Sequence, residues 1–515
     1  MISGYTIRKN QYYDSVFLMG INKKLSENPG VNQTAVLMGT EKNKELLYDI
    51  GVKNDEIKAA GANDLIVAVT AGSQSIIDNL LTDLDKILNA EIGESASQKW
   101  VSLEDGLAYQ PDSNLVVISI PGEFVFREAL KALESGLHVF IFSSNVSLED
   151  EKKLKEFAVS KGLLVMGPDC GTSLISGQGI GFANAVRKGS IGAIGASGTG
   201  LQEFTCQIHN AGLGISQAIG TGTNDVSDQI GGITSFQAVE ALEADPNTEV
   251  ITFISKPPGE KFQHSFVKKL DQCSKPAICC YLGSEFKAEQ ADNVHFASTI
   301  DEAVAWARYL TSEGPAPITA SLSEKELSWV EDELGKLNQN QRYLRGVFAG
   351  GTFCYQSQNV LQKMGIDVYS NGPIDPAFKL ENPDQSRETS IVDMGDEYYT
   401  LGKPHPMIDG TLRIERVLRE SEDPQVAVLF LDFILGYNAS ADPAGELLDA
   451  INQAQQSFQR RGAHLTVVAS ICGTENDSQD LDLQTQLLQD QGVKVFQSNS
   501  RAAYFCAEIL KRLGD

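Results

Sequence analysis

The sequence is short of positive charge, poor in histidine and tryptophan, and without a long apolar run. Its 42 Lys and Arg stand against 68 Asp and Glu, giving a formal charge of −26 and a pI near 4.7. That balance opposes nonspecific binding to nucleic acid or an anionic membrane, so any phosphate must be held by local groups. No stretch approaches the roughly 20 apolar residues a membrane span needs, and "MISGYTIRKNQYYDS" lacks the apolar core of a signal peptide. The eight cysteines (Cys170, Cys206, Cys273, Cys279, Cys280, Cys354, Cys472, Cys506) include no CxxC pair. A disulfide or metal framework is therefore not expected, and buried reduced thiols are. What remains is a soluble, cytoplasmic chain of about three or four domains acting on a small molecule, with no metal, nucleic-acid or membrane partner.

What the sequence does have is rhythm. Residues 1 to about 95 alternate short apolar runs ("TAVLMG", "DLIVAVTA") with helical patterns ("SVFLMGINKKLSE", "SIIDNLLTDLDKILN"), which predicts a small α+β or ferredoxin-like unit. From 112 onward strand and helix patterns alternate regularly, which calls for parallel sheet. Two larger α/β units follow, joined by "TSEGPAPITASLS" and the amphipathic helix "EKELSWVEDELGKL". They read as copies of one design. "FQAVEALEADPNTEVITFISK" and "RIERVLRESEDPQVAVLFLDF" both give a helix, an Asp-Pro corner (Asp245-Pro246, Asp423-Pro424) and a buried strand. Duplicated halves suggest one site between them and a homo-oligomer or larger complex.

The motif richest in chemistry is "IGAIGASGTGLQEF", a strand that breaks into Ser197, Gly198, Thr199 and Gly200 before a helix. Such a turn presents bare N–H groups at a positive helix end, where an anion is attracted; a tightly packed corner with no ligand gives the same pattern. It is not a Walker loop, because no Lys-Ser or Lys-Thr closes it. Strands of open parallel sheets point their carboxyl ends at ligands, which selects Lys256 and Asp432 at the ends of "VITFISK" and "VAVLFLD". "GYNASADPAGELLDAI" offers a second helix start, with Asp442 as N-cap and Pro443 in the first turn. The helices after Gly198 and Gly436 are thus expected to aim at one phosphate, with Lys256 completing the cradle.

Further candidates lie on corners and loops. "MGPDCGTS" places Asp169 and Cys170 at a turn, and with no histidine evidently paired to it Cys170 is either a nucleophile or a packed thiol. "IGTGTNDVSDQIGG" offers Thr223, Asn224 and Asp225 for hydrogen bonding to an amide or carboxylate substrate. "DMGDEYYTLGKPHPMID" clusters Lys403, His405 and Asp409, and His405, between two prolines in a charged loop, reads as functional.

In this order the motifs resemble the succinyl-CoA synthetase superfamily. "GPDCGT" and "GASGTG" look like the turn and phosphate-helix start of its alpha subunit over about 112–312, and "FLDFILG" sits where the beta-subunit helix begins. With "NQYYDSVFLMG", "RGVFAGGTF" and "GKPHPMID", the whole chain is similar to the FdrA proteins. The resemblance implies an α/β fold with an N-terminal α+β unit (1–100) and a CoA-binding-like Rossmann domain (101–187). Two flavodoxin-like ligase domains follow, alpha-type (188–312) and beta-type (342–515), with a linker helix (313–341) between them.

The departures from the synthetases narrow the chemistry. Their phosphohistidine loop is missing, since "SEFKAEQADNVHFASTIDEA" runs almost straight to the next strand. Lys256 falls where a glutamate steadies that histidine, and both the Gly-rich CoA turn and an ATP-grasp domain are absent. What the FdrA resemblance then implies is phosphate-dependent transfer of a carbamoyl or acyl group with partner subunits, as in oxamate carbamoyltransferase. Phosphate or carbamoyl phosphate would be the ligand, with CoA or Mg as further candidates. The alternatives are an acyl-CoA synthetase or CoA transferase, and a noncatalytic scaffold for a phosphorylated metabolite.

Overall fold

The computed structural model describes residues 2–514 apart from 12, 14, 27, 41–42, 45–46, 49–51, 53, 93–101, 285, 287–290, 312–313, 316–321 and 402. Parts of the linker "TSEGPAPITASLS" and of the segment after "CCYLG" thus lie outside the described residues. The chain divides into two compact units, Met1–Pro111 with Thr400–Pro404, and Asp112–Tyr399 with His405–Asp515.

The first unit contains β1 (Ile2–Arg8), α1 (Ser15–Ser26), β2 (Val31–Met38), α2 (Asp55–Ala59), β3 (Leu65–Ala71), α3 (Gln74–Ile92) and α4 (Leu103–Tyr109). Its sheet is antiparallel in the order β1-β3-β2. The central strand "LIVAVTA" is buried along its whole length because both faces are covered. Leu18, Ile21, Ile77 and Leu84 pack with Leu65, Val67 and Val69 on one side, and Leu47, Val52 and Ile57 pack with Ile66 and Ala68 on the other. A strand covered on both faces has no use for polar alternation, which is why it reads as a continuous apolar run.

The second unit opens with β4 (Leu115–Ile118), α5 (Gly122–Glu134), β5 (His138–Ile141), α6 (Leu148–Lys161) and β6 (Val165–Met166), a parallel β4-β5-β6 layer. The hairpin β7 (Thr172–Ile175) and β8 (Gln178–Gly181) follows. It joins the sheet built from β9 (Lys188–Gly195), α7 (Gly198–Asn210), β10 (Ile215–Gly220), α8 (Ile233–Ala244), β11 (Val250–Ser255), α9 (Glu260–Asp271), β12 (Ala277–Tyr281), β13 (Val294–Ala297) and α10 (Ile300–Leu310).

After α11 (Glu324–Leu334), started by a capping box between Ser323 and Glu326, comes the last sheet. It is made of β14 (Tyr343–Phe348), α12 (Gly351–Lys363), β15 (Ser390–Asp393), α13 (Glu397–Thr400), α14 (Thr411–Glu420), β16 (Val426–Ile434), α15 (Pro443–Arg460), β17 (Thr466–Cys472), α16 (Leu481–Asp490), β18 (Lys494–Phe496) and α17 (Asn499–Gly514).

The two larger sheets share one topology. The five parallel strands run β13-β12-β11-β9-β10 in one and β18-β17-β16-β14-β15 in the other. Taken in chain order within each half, both are 2-1-3-4-5, the flavodoxin-like arrangement, and the duplication read from the Asp-Pro corners is present strand for strand. The central strands β11 and β16 are buried from end to end. In this topology the crevice for a ligand opens where the first and third strands part, at their carboxyl ends. In the first half that is Gly195 and Ser255, just before Lys256; in the second it is Phe348 and Ile434.

Candidate functional site

Each half sends a helix from its first strand into that crevice, and the two helices meet. α7 follows β9 through "ASGT" (196–199), and α12 follows β14 through "AGGT" (349–352). The Ser197 hydroxyl contacts the Thr352 hydroxyl, and the Thr352 N–H donates to Thr199 Oγ1 at 3.4 Å. Neither N-cap residue, Ser197 or Gly350, bonds its own helix through a side chain. The first-turn N–H groups of two helices therefore converge without the usual caps, and their dipoles make the region favourable to negative charge.

Why the helices pack so closely is visible in their sequences. On α7 the residues Leu201, Phe204 and Ile208 face the apolar core of their own sheet, while Gln202 and Glu203 are buried as well. On α12 the buried set includes Phe353, Val360 and Leu361 together with Gln356, Ser357 and Gln358. The polar members join across the interface. Glu203 accepts from Asn499 N–H at 2.7 Å, Gln207 at 3.2 Å and Gln356 at 3.2 Å, and Asn499 Oδ1 accepts from Gln356 and Ser357. Burial, with a smaller push from Asp301, raises the Glu203 carboxyl to about 8.

Around the two tips stand three charged side chains. Lys256, exposed at the end of β11, reaches over the Tyr355 ring with Nζ 5.4 Å from its centroid. Asp169 sits on the "GPDC" turn and accepts from the Thr223 hydroxyl at 2.8 Å. Loss of solvation raises its pKa, while the Thr223 bond and the Lys256 charge pull it back. Asp393, at the end of β15, holds Gly395 N–H at 2.9 Å. Its Oδ2 lies 2.6 Å from where a Cβ on Gly351 would be, so only glycine fits at the first residue of α12. Burial raises Asp393 to about 6 against the pull of Lys256.

His405 flanks this group. Its Nδ1 accepts from Met407 N–H at 3.2 Å, its ring lies 5.8 Å from Phe182, and burial with the nearby Arg413 charge lowers its pKa to about 4. It is a neutral imidazole with its proton on Nε2.

Several expectations are corrected. The helix after Gly436 does not share the crevice with α7. The tip of α15 is already occupied, its N-cap Asp442 accepting from Gly445 N–H at 3.0 Å and Gln484 of α16 from Ala444 N–H at 2.8 Å. Gly436 itself exchanges bonds with Gln479 at 3.1 and 2.8 Å.

Four further candidates are taken up elsewhere in the fold. Cys170 is buried, and burial pushes its thiol to about 12, which removes the thiolate a nucleophile needs. Asp225 is wholly buried and saturated by Lys155 at 2.7 Å, Thr234 N–H, Ser235 N–H and the Ser235 hydroxyl. Asp432 is likewise saturated, accepting Ala349 N–H at 2.8 Å, Gly350 N–H at 2.7 Å and Arg413 at 3.0 Å; it shapes the turn before α12. Asp409 accepts Thr411 N–H at 2.8 Å in the first turn of α14.

Asn224 donates to Glu151 at 3.4 Å, so its amide serves the wall of the site. Lys403 is exposed in the segment Thr400–Pro404 that groups with the first unit. Ser197, Gly198, Thr199 and Gly200 lie at the helix meeting. Thr352, Tyr355 and Asp393 are further members of the group. The echo of "ASGT" in "AGGT" at the same point of the repeat marks Thr352, whereas no comparable motif marks Tyr355 or Asp393.

A family model described as CoA-ligase matches residues 347–508, one described as CoA binding domain matches 186–283, and one described as AllF, heavy metal-associated domain matches 1–102. The uncharacterized protein YahF of Escherichia coli K12 is 38% identical over 505 residues, covering 98% of each chain. The alpha subunit of succinate–CoA ligase (ADP-forming) from Methanothermobacter thermautotrophicus is 27% identical over 176 residues, 34% of this chain and 58% of that one. Among solved structures, acetyl-coenzyme A synthetase 1 of Ca. Korarchaeum cryptofilum in complex with phosphate and ADP aligns at 17% identity and a TM-score of 0.29, covering 77% of this chain and 82% of that one.

Fold and matches together define an acyl-CoA ligase-like chain of the succinyl-CoA synthetase-like superfamily. Within it, the chain belongs to the FdrA-like family of YahF. The heavy-metal label of the N-terminal match does not fit the donors there: residues 1–102 contain neither cysteine nor histidine. Among the described residues, no helix is long and apolar enough to cross a membrane.

Proposed function

We propose that the meeting of α7 and α12 holds inorganic phosphate and that the chain transfers a carbamoyl or related acyl group to or from it. The reaction would be of the oxamate carbamoyltransferase type, oxalurate and phosphate giving oxamate and carbamoyl phosphate, with partner subunits contributing. What supports this reading is the pairing of two uncapped helix tips beside the exposed Lys256. First-turn N–H groups and the Ser197, Thr199 and Thr352 hydroxyls donate to phosphate oxygens, and the Lys256 ammonium offsets their charge. A phosphate oxygen attacks the carbonyl carbon, and the neighbouring N–H groups stabilise the oxyanion. Asp169 and Thr223 line the substrate side. No enzyme nucleophile enters, consistent with a Cys170 thiol that stays protonated.

A second reading, acyl transfer to CoA, is favoured by the CoA-ligase and CoA binding matches. The same small, uncapped turn at 196–200 accommodates a phosphate group of CoA as readily as free phosphate. Calorimetric titration of the full chain with inorganic phosphate, carbamoyl phosphate and CoA separates the two. Binding of the first two with none of CoA supports the transferase. Tight CoA binding that phosphate displaces supports the ligase.

A further inference from the structure

We propose that Asp393 is the proton carrier of the site, held in place by Gly395 and Asn371. The inference deepens the transferase reading and rests on it. The starting point is position. Asp393 ends β15, the second strand of its half, and its Oδ2 stands over the first residue of α12, the tip that meets α7. The backbone around it is pinned on both sides, with Asn371 Oδ1 accepting Asp393 N–H and Asn371 Nδ2 donating to Asp393 O, both at 2.9 Å. Oδ1 is committed to Gly395 N–H, which leaves Oδ2 for a ligand.

Gly395 is small because three groups converge on it. A Cβ there would lie 2.7 Å from Ala349 O, 2.8 Å from His405 Nε2 and 3.1 Å from Asp393 Oδ1. The imidazole Nε2 thus shares the Gly395 corner with Ala349 O and Asp393 Oδ1.

The charged and titratable groups facing Asp393 are Lys256 from the end of β11, Asp396 from its own loop, Asp432 from β16, Cys354 on α12 and His405. Lys256 favours the ionised form and the two carboxylates oppose it. The outcome is an acid near 6, well placed to be ionised at rest and still able to give a proton back.

Hydrogen phosphate forms an O–C bond at the carbamoyl carbon, and its remaining hydroxyl proton passes to Asp393 Oδ2. The C–N bond of the acylurea breaks, its electron pair goes to nitrogen, and the Asp393 proton follows to complete the amide. Asp393 returns to carboxylate, and no oxidant or further reactant is consumed.

The test compares the full chain, together with the subunits that copurify with it, as wild type, Asp393→Asn and Asp393→Glu. Oxalurate and inorganic phosphate are the substrates, between about pH 5 and 8, beside calorimetric binding of phosphate alone. Wild-type turnover, corrected for the hydrogen phosphate present at each pH, should rise with pH through about 6, as the resting carboxylate forms. Asp393→Asn should lower kcat by about 10²–10⁴-fold and abolish that corrected rise, with phosphate affinity changed less than about threefold. Asp393→Glu should restore part of both. A wild-type pH profile and rate in Asp393→Asn overturns the proton-carrier role while leaving the transferase reading intact. Absence of phosphate binding in the wild type overturns both.

Discussion

Ser197 and Thr352, from the two copies of one duplicated fold, touch through their hydroxyls where α7 and α12 begin. A neutral pair of hydroxyls between two positive helix ends satisfies little of the local field, so an entering anion gains where water and hydroxyl alone do not. Ser197→Ala and Thr352→Val each remove one donor while keeping the volume close. Each should weaken phosphate binding by about tenfold, the value of a hydrogen bond to a charged group, with the melting temperature little changed. Unchanged affinity in both would move the anion away from the helix meeting.

Lys256 supplies a full positive charge that acts on both Asp169 and Asp393, and because it is exposed its replacement should not disturb the core. Lys256→Glu places a carboxylate beside Asp169 and Asp393 and repels the ligand. Affinity for phosphate and carbamoyl phosphate should fall at least about tenfold, and the residual binding should lose most of its salt dependence. Full affinity in Lys256→Glu would take the residue out of the site.

The wall of the crevice rests on a buried charge cluster. Lys155 Nζ bonds Glu151 and Asp225, each at 2.7 Å, and Thr221 O at 3.1 Å, all out of contact with solvent. Lys155→Met leaves two carboxyls buried without a cation, a change worth about 3–5 kcal/mol of stability. Urea unfolding should show the extrapolated unfolding free energy falling by that amount, with the midpoint lowered accordingly. A variant as stable as wild type would mean the cluster is solvated in solution.

The duplication was legible in the sequence because helix, Asp-Pro corner and buried strand recur in fixed order, and burial on both faces writes β11 and β16 as mainly apolar runs. Ser197 to Gly200 and Lys256 were legible for a related reason: a strand that breaks into small residues, or ends on a charge before proline, marks the carboxyl edge of a sheet. The partner helix was not. Gly436 looked like the second tip because it too follows a strand, but that strand is the third of its half, and only the three-dimensional order shows that β14 is the counterpart of β9. Asp225 and Asp432 misled for a different reason. Asp225, a short acid on a Gly-rich loop, has the same local composition whether it faces a ligand or, as here, collects the Thr234 and Ser235 N–H groups, while Asp432 lies inside β16, which runs on to Ile434, and collects the N–H groups of Ala349 and Gly350.

Glu203 of α7 is a carboxyl shared with α12 and α17 through Gln356 and Asn499. Its pKa is raised to about 8 in the folded chain and is near the ordinary carboxylate value when unfolded. Between those values the folded state binds the proton and the unfolded state does not, so the group's contribution to stability is fully present at low pH and declines as pH rises toward 8. The slope approaches ~1.4 kcal/mol per pH unit for one proton. Glu203→Gln keeps an amide oxygen for Asn499 N–H and cannot ionise. The variant should therefore gain on wild type as pH rises from about 5 to 8, measured as the difference in urea midpoint, and hold the two halves together at alkaline pH where wild type loosens. If the two proteins lose stability in parallel over that range, the Glu203 carboxyl is ionised in the fold and the interface tolerates its charge.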